Sequence, residues 1–496
     1  MKERFIGKNI MRGIATLEVL IAFAIITLGI GASILLIFGN QTSSASNQTS
    51  IEAVSLSQKI LEEARAQARF DFQSVVPNLH TTIALGSTLY TKSLEVSQTD
   101  FFTKEVSSVV SWEESGKSLF VRLSTLLSNP EGVSTSETCS SVLLGNWKSP
   151  LIKSWEFGKD IVNDGVNIFP IADIDMYQDT LYVVLSSSSS NNSPTFFTLH
   201  IDRSNPTAKP LLQASIDNDT GVKTGLHGVT ATNRYAFLAN GLGPTKGQLQ
   251  IVDLSQNPPT LIKAYKIPGV SGSSSQAVGQ TIAHKDGYVY IGLTKTSSGP
   301  EFNIVDVGGG TGSPTNPIWV GGYSVGNGIN AILIKDSFAY IATPNNEELT
   351  VLDISNKANP FRVSGFNAPD NQGNGKSLSI QGNRLYLGRT VTSANPEFYI
   401  LERSNPPSIP PSPLASKEIS SSINGIISRD YLTLLLTNSQ FQIWNTANPS
   451  EILPWSASLP LPGGTGTALE CEGNTIFLSS LPANNKGFIS VVTPEN

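Results

Sequence analysis

The residue types most often used for chemistry are few and scattered. Four histidines, His80, His200, His227 and His284, show no HExxH, HxH or paired spacing, so neither a zinc hydrolase nor a metal cluster is suggested. No GxSxG elbow, GxxxxGK[ST] or strand-to-helix GxGxxG occurs, and GGGTGS and GGTGTA read as loops with no following helix to hold a phosphate. DNDTG at Asp217 to Gly221 begins like a calcium loop but lacks the later ligands. Asp253, Asp306 and Asp353 recur in one setting, an apolar strand followed by Asp and a turn rich in Ser, Asn, Gly or Pro. There Asp bonds to local backbone and Pro presets φ, so these carboxylates read as turn residues rather than catalytic ones. Cys139 and Cys471 are the only cysteines and form no CxxC; a disulfide between them and two unrelated thiols are both open.

One further carboxylate stands out by its surroundings. Glu18 is the lone charge in the apolar run from Gly13 to Phe38, and Lys2, Arg4, Lys8 and Arg12 precede it. The run from Ile14 gives about 25 residues at about 1.5 Å each, enough for a hydrocarbon core of roughly 30 Å, and the basic leader keeps the N-terminus inside. A cleaved secretory signal has a shorter, uncharged apolar region. A plain anchor leaves the acid uncompensated, at about 2.5 to 3.5 kcal/mol near the membrane centre.

These residues resemble the class III signal of type IV pilins and pseudopilins: a short basic leader ending in Gly13, a new N-terminus at Ile14, and Glu18 at the fifth mature position. The resemblance implies cleavage after Gly13 by a prepilin peptidase, N-methylation of Ile14, and pairing of Glu18 with a neighbouring subunit's amine during assembly. Ile14 departs from the usual Phe, which weakens the methylation expectation. IEAVSLSQKILEEARAQARFDF continues with an amphipathic helical pattern. STLYTKSLEVSQ, TKEVSSVVSWEE and KSLFVRLSTLL then read as an antiparallel meander, similar to the sheet ending of minor pilins related to type IV pilus modification proteins.

The chain of 496 residues is too long for one core. With 15% charged residues and a net charge of -6, it gives no footprint for nucleic acid. After about Lys148 it is periodic. DTLYVVL, NRYAFLA, GYVYIGL, SFAYIAT, NRLYLGR, DYLTLLL and NTIFLSS recur at the spacing of propeller blades, each followed by a segment such as LQIVDLSQNPP or LTVLDISNKANP. These units resemble LVIVD-type repeats of bacterial surface β-propellers. The last unit lacks a fourth strand, and SPLIKSWEF at 149–157 is a strand without a unit; pairing them closes seven blades and removes an open sheet edge. On that reading Cys139 and Cys471 meet in one blade.

The expected organisation is therefore a leader (1–13), a transmembrane and amphipathic pilin helix (14–75), a small β head (76–135) and a propeller (136–496). The fold class is α+β for the pilin-like part and all-β for the propeller. The expected role is a minor pilin or pseudopilin that displays the propeller for adhesion, the alternative being a tethered enzyme acting on extracellular glycans. Expected partners are prepilin peptidase, other pilin subunits and assembly machinery, the membrane, and an extracellular glycan or surface protein. The expected location is a single-pass inner or cytoplasmic membrane protein with its C-terminal region outside, then the pilus or cell surface. No charged cluster shows in the inner-strand segments, so the chain is expected not to be an enzyme and to carry no catalytic residue, metal or cofactor.

Overall fold

The computed structural model describes residues 44–495 apart from 71–74, 87, 101–102, 115, 129–138, 141, 166, 188–193, 217–224, 242–245, 274, 346, 370–371, 394 and 405–406. The chain divides into two compact units, Met1–Val133 and Ser134–Asn496. In the first, helix α1 (Ser44–Phe70) packs on an antiparallel meander of β1 (Asn78–Leu85), β2 (Thr88–Asp100), β3 (Thr103–Glu114) and β4 (Lys117–Ser128). Small side chains let the helix approach: Ala53, Ser57, Ala64 and Ala68 are buried, and Ser57 Oγ donates to the Ser108 carbonyl at 3.3 Å. Leu61 joins Val75, Val106 and Leu127, while Tyr90, Val110 and Trp112 fill the other end of the sheet face.

This corrects the expected fold class and location. Apart from α1 and one π-helical turn, the described secondary structure is all β-strand, with no helix spanning 14–75 among the described residues. Helix α1 has 27 residues and carries Glu52, Lys59, Glu62, Glu63 and Arg65, too much charge for hydrocarbon. Among the described residues no helix is long and apolar enough to cross a membrane, and the single-pass assignment is withdrawn. Gly13, Ile14, Glu18 and the apolar run to Phe38 lie outside the described residues, as does Asp217–Gly221.

The second unit is a ring of seven antiparallel sheets, here blades 1 to 7. Their inner strands are Ile171–Tyr177, Leu226–Ala231, Gly279–Lys285, Ala331–Lys335, Gly375–Gln381, Ile423–Arg429 and Gly464–Glu472, and each touches the next around a closed circuit. Second and third strands are buried along their length, which is why TLYVVL, YVYIGL and LQIVD read as continuous apolar runs rather than alternating ones. The repeated aromatic positions, from Tyr182 to Phe477, lie in this interior. Blade 7 is composite: Asn146–Glu156 pairs antiparallel with Phe488–Glu495 as its outer strand. A disulfide joins Cys139 to Cys471 across 332 positions of sequence.

Two devices recur around the ring. In six blades the inner strand carries a β-bulge near its start, at Ala172, His227, Gln280, Lys376, Asn424 and Thr467, with Asn330 in the corresponding place of blade 4. A buried acid or amide before the third strand also accepts backbone N–H groups from the segment leading to the next blade. Glu301 Oε2 takes Val325 and Gly326, Glu348 Oε2 takes Ala368, Glu397 Oε2 takes Ile419 and Ser420, and Gln248 Oε1 takes Ile267. Buried backbone donors need such partners, so these side chains latch blade to blade. Glu348 is also paired with Arg389 at 2.7 Å, both side chains fully buried.

Candidate functional site in the propeller channel

Pairing with the second strands sets a common level on the inner strands. Asp175 faces Tyr182, and Thr230, Ala283, Leu333, Ser379, Ile427 and Glu470 face the equivalent positions of blades 2 to 7. At this level the seven strands surround a cavity of about 320 Å³, to which every blade contributes and which Cys139 and Cys471 also line. Blades 3 to 6 line it mostly with apolar side chains such as Ala283, Leu333 and Ile427, interrupted by His284, Ser379 and Arg429. Across the closure, blades 7 and 1 present Glu470, Asp173 and Asp175.

The geometry of these carboxyls follows from strand alternation. Asp173 and Asp175, two residues apart, point to the same side of their strand. Asp173 Oδ2 accepts from the Val229 N–H at 3.0 Å and Asp175 Oδ2 from the Ala231 N–H at 2.5 Å, both on the inner strand of blade 2. Glu470 Oε1 accepts from the Cys471 N–H at 3.0 Å. All three are enclosed by protein yet partly open to the channel. Burial raises Asp173 to about 7, against the backbone bonds from Val229 and Ile174. Asp175 is likewise raised to about 7 by burial and by repulsion from Asp173 and Glu472. Glu470 reaches about 8 through burial and repulsion from Asp175, with Arg429 opposing. Glu472 is held by Arg203 of blade 1 at 2.5 Å, so the seam also carries a cation bridge. A carboxyl set raised toward neutrality in this way can both donate and accept hydrogen bonds and is suited to general acid and base work.

The sequence-read residues fall elsewhere. Asp253 Oδ1 accepts from the Ser255 hydroxyl at 2.6 Å and N–H at 2.9 Å, bonds that lower its pKa. Asp353 accepts from the Ser355 N–H at 2.8 Å. Asp306 is raised by burial, but the N–H groups of Gly308, Gly309, Gly310 and Gly312 outweigh this and leave it lowered. None of the three lines the channel. His284 does, stacked on Phe237 at 5.0 Å, and burial lowers its pKa. His227 Nδ1 donates to the Gly279 carbonyl at 3.0 Å. His200 lies 3.6 Å from Asp179 on the surface, and His80 is on the head sheet. Among the described residues no three His, Cys, Asp or Glu side chains are grouped to hold a metal.

Sequence reasoning missed Asp173, Asp175 and Glu470. Their signal is present in IADIDMY and GTGTALECE, where acids fill positions that other repeats give to Gly, Thr, Ala, Leu, Ser or Ile. Each looks isolated until the ring closes.

The LVIVD repeat model matches residues 330–367, which are blade 4 and its flanks. Among solved structures, the chain is similar to the periplasmic gluconolactonase of Pseudomonas aeruginosa at 10% identity and a TM-score of 0.47, over 77% of this chain and 96% of that one. A Bacteroides uniformis protein assigned as a 6-phosphogluconolactonase is similar at 12% identity and 0.47, over 72% and 92%. The WD40 propeller domain of Doa1 is similar at 10% and 0.42, over 71% and 98%. No curated protein matches the chain. None of these likenesses supports a pilin-like N-terminus. The expectation that the chain is not an enzyme is corrected at its premise: the charged cluster whose absence it rested on is present, with Asp173, Asp175 and Glu470 lining one cavity. At this identity and these TM-scores, no activity carries over from them.

Proposed function

We propose that this chain is a ligand-binding β-propeller whose channel takes up a small polyhydroxylated molecule of the carbohydrate class at Asp173, Asp175 and Glu470. The observation that carries the proposal is the placement of three enclosed carboxyls, Asp173, Asp175 and Glu470, on one side of a cavity whose other side is mostly apolar, with burial raising the pKa of each. A hydroxyl group both donates and accepts, and so does this set near neutral pH. A mostly apolar lining opposite suits the apolar face of a ring, with a few placed polar groups fixing its orientation.

A second reading rests on the same carboxyls. Two neighbouring acids whose pKa values burial and mutual repulsion raise toward neutrality are suited to proton transfer, so a bound sugar or sugar lactone is a candidate for hydrolysis. The test is a glycan and lactone panel on the full chain, read by calorimetry for binding and by product analysis for turnover, repeated with Asp175→Asn and Glu470→Gln. Binding without turnover that weakens in both variants supports the first reading. Turnover lost in both variants supports the second. A ligand bound equally well by wild type and both variants overturns the assignment to this wall.

A further inference from the structure

Three positions before the level of Asp175, six of the seven blades carry a polar residue, at a bulge in all of these but blade 4. A bulge re-aims its side chain, and here the re-aimed residues reach along the ring to the next blade. His227 donates to the Gly279 carbonyl at 3.0 Å, Asn330 Nδ2 to Gly375 at 2.6 Å, and Asn424 Nδ2 to Gly466 at 2.8 Å. All are half-buried, on the face of the propeller where the inner strands begin. No Asp or Glu occupies this position in any of the seven blades.

Lys376 is the one permanent cation of this ring. Its Nζ donates to Asn424 Oδ1 at 3.3 Å, and it forms no ion pair among the described residues. Asn424 in turn is anchored, its Nδ2 bonded to both Gly466 and Asn438, so the acceptor that holds the ammonium is itself fixed. An ammonium has three donors, and one is used here. Burial alone lowers the pKa of Lys376, with no carboxylate opposing. Lys376 is half-buried, and an ammonium with two spare donors in a ring without Asp or Glu is free to take an anionic ligand.

We propose that this mouth of the channel binds an oxyanion, the carboxylate or phosphate group of a small ligand, with Lys376 as its cation. The site is independent of what the carboxyls across the closure bind, because it uses none of their residues.

The test titrates the full chain by calorimetry with inorganic phosphate and, separately, with acetate, at fixed ionic strength. One anion per chain is expected to bind saturably, with affinity falling about tenfold or more in Lys376→Met and persisting in Lys376→Arg, whose fork also suits oxyanions. Saturation by phosphate alone assigns a phosphate ligand, and by acetate alone a carboxylate one. Lys376→Met removes an unpaired charge, so a thermal melt at least as high as wild type is expected and separates lost binding from lost fold. Equal binding in Lys376→Met, or no saturation by either anion, overturns the proposal.

Discussion

Two walls of one channel, built by the same repeat in the same register, differ in chemistry. At the level of Asp175, blade 4 supplies Leu333 and its neighbour in blade 3 supplies Ala283, while the seam of blades 7 and 1 supplies Glu470 and Asp175 beside a disulfide. Blade 4 is contiguous in sequence, and it is where the repeat model matches. The seam joins Asn146–Glu156 to strands more than 300 residues later. Terminal repeats in such arrays are atypical, and here the atypical positions are where carboxyls line the channel. The difference suggests that the carboxyl wall of the channel is a product of the irregular junction rather than of the repeat.

The largest expected effect comes from opening the seam. Trp147 of the closing strand is almost fully buried, with its indole N–H donating to the Leu144 carbonyl at 3.0 Å. Trp147→Ala is expected to cost about 3 to 5 kcal/mol in denaturant melts. Leu352→Ala in blade 4 also empties a fully buried site, and about 2 to 5 kcal/mol is expected there. If ring closure matters beyond cavity volume, Trp147→Ala alone also weakens ligand binding in the channel. Equal loss of binding in both variants would break the distinction between the walls.

Removing the clasp should act next. Cys139→Ser is expected to lower stability by about 2 to 5 kcal/mol, with reductant reproducing the loss in wild type and adding nothing in the variant. A reductant effect that persists in Cys139→Ser would remove the disulfide as its source.

The acidic wall sets a pH dependence whose sign is fixed. Asp173 and Asp175 are raised to about 7 and Glu470 to about 8, above their ordinary 3.8 and 4.5. Between about pH 4 and 8 the folded chain therefore holds protons that the unfolded chain releases, and stability falls as pH rises through that window. The fall is expected to be on the order of a few kcal/mol, and Asp175→Asn with Glu470→Gln flattens it. Leu333→Asn on the opposite wall leaves the slope unchanged. A slope that survives the seam substitutions would place the titrating groups elsewhere.

Much of the propeller was legible in the sequence because its signals are local. An apolar run, a Tyr or Phe at a fixed place and an Asp turn repeat every blade, and each reflects contacts within one sheet, as Asp253 with Ser255 shows. The site was not legible because its members belong to different sheets. Asp175 and Glu470 are 295 positions apart, and only closure makes them neighbours. The bulge ring was hidden for another reason: Lys376 and Asn424 are ordinary polar residues until an extra residue in each strand turns them along the ring. The blade latches were hidden similarly, since nothing in PEFNIVD or PEFYILE marks Glu301 and Glu397 as buried until the next blade's backbone packs on them.

Those latches and turns give the smallest effects and refine the comparison within regular blades. Glu397→Ala leaves the Ile419 and Ser420 N–H groups without their acceptor, and a loss of about 1 to 3 kcal/mol is expected. Asp353→Ala removes one bond, to Ser355, at a partly exposed turn, and about 0.5 to 1 kcal/mol is expected. Asp306, which gathers four glycine N–H groups, should cost more than Asp353 when changed to Ala, and the gap should narrow in acid. Its lowered pKa means that its stabilisation is present above the unfolded value and lost as pH falls through the folded one. Ligand binding in the channel should be unchanged in both turn variants, because their loops lie away from the inner strands. Impaired channel binding in Asp353→Ala would mean that the regular blades shape the site as much as the seam does.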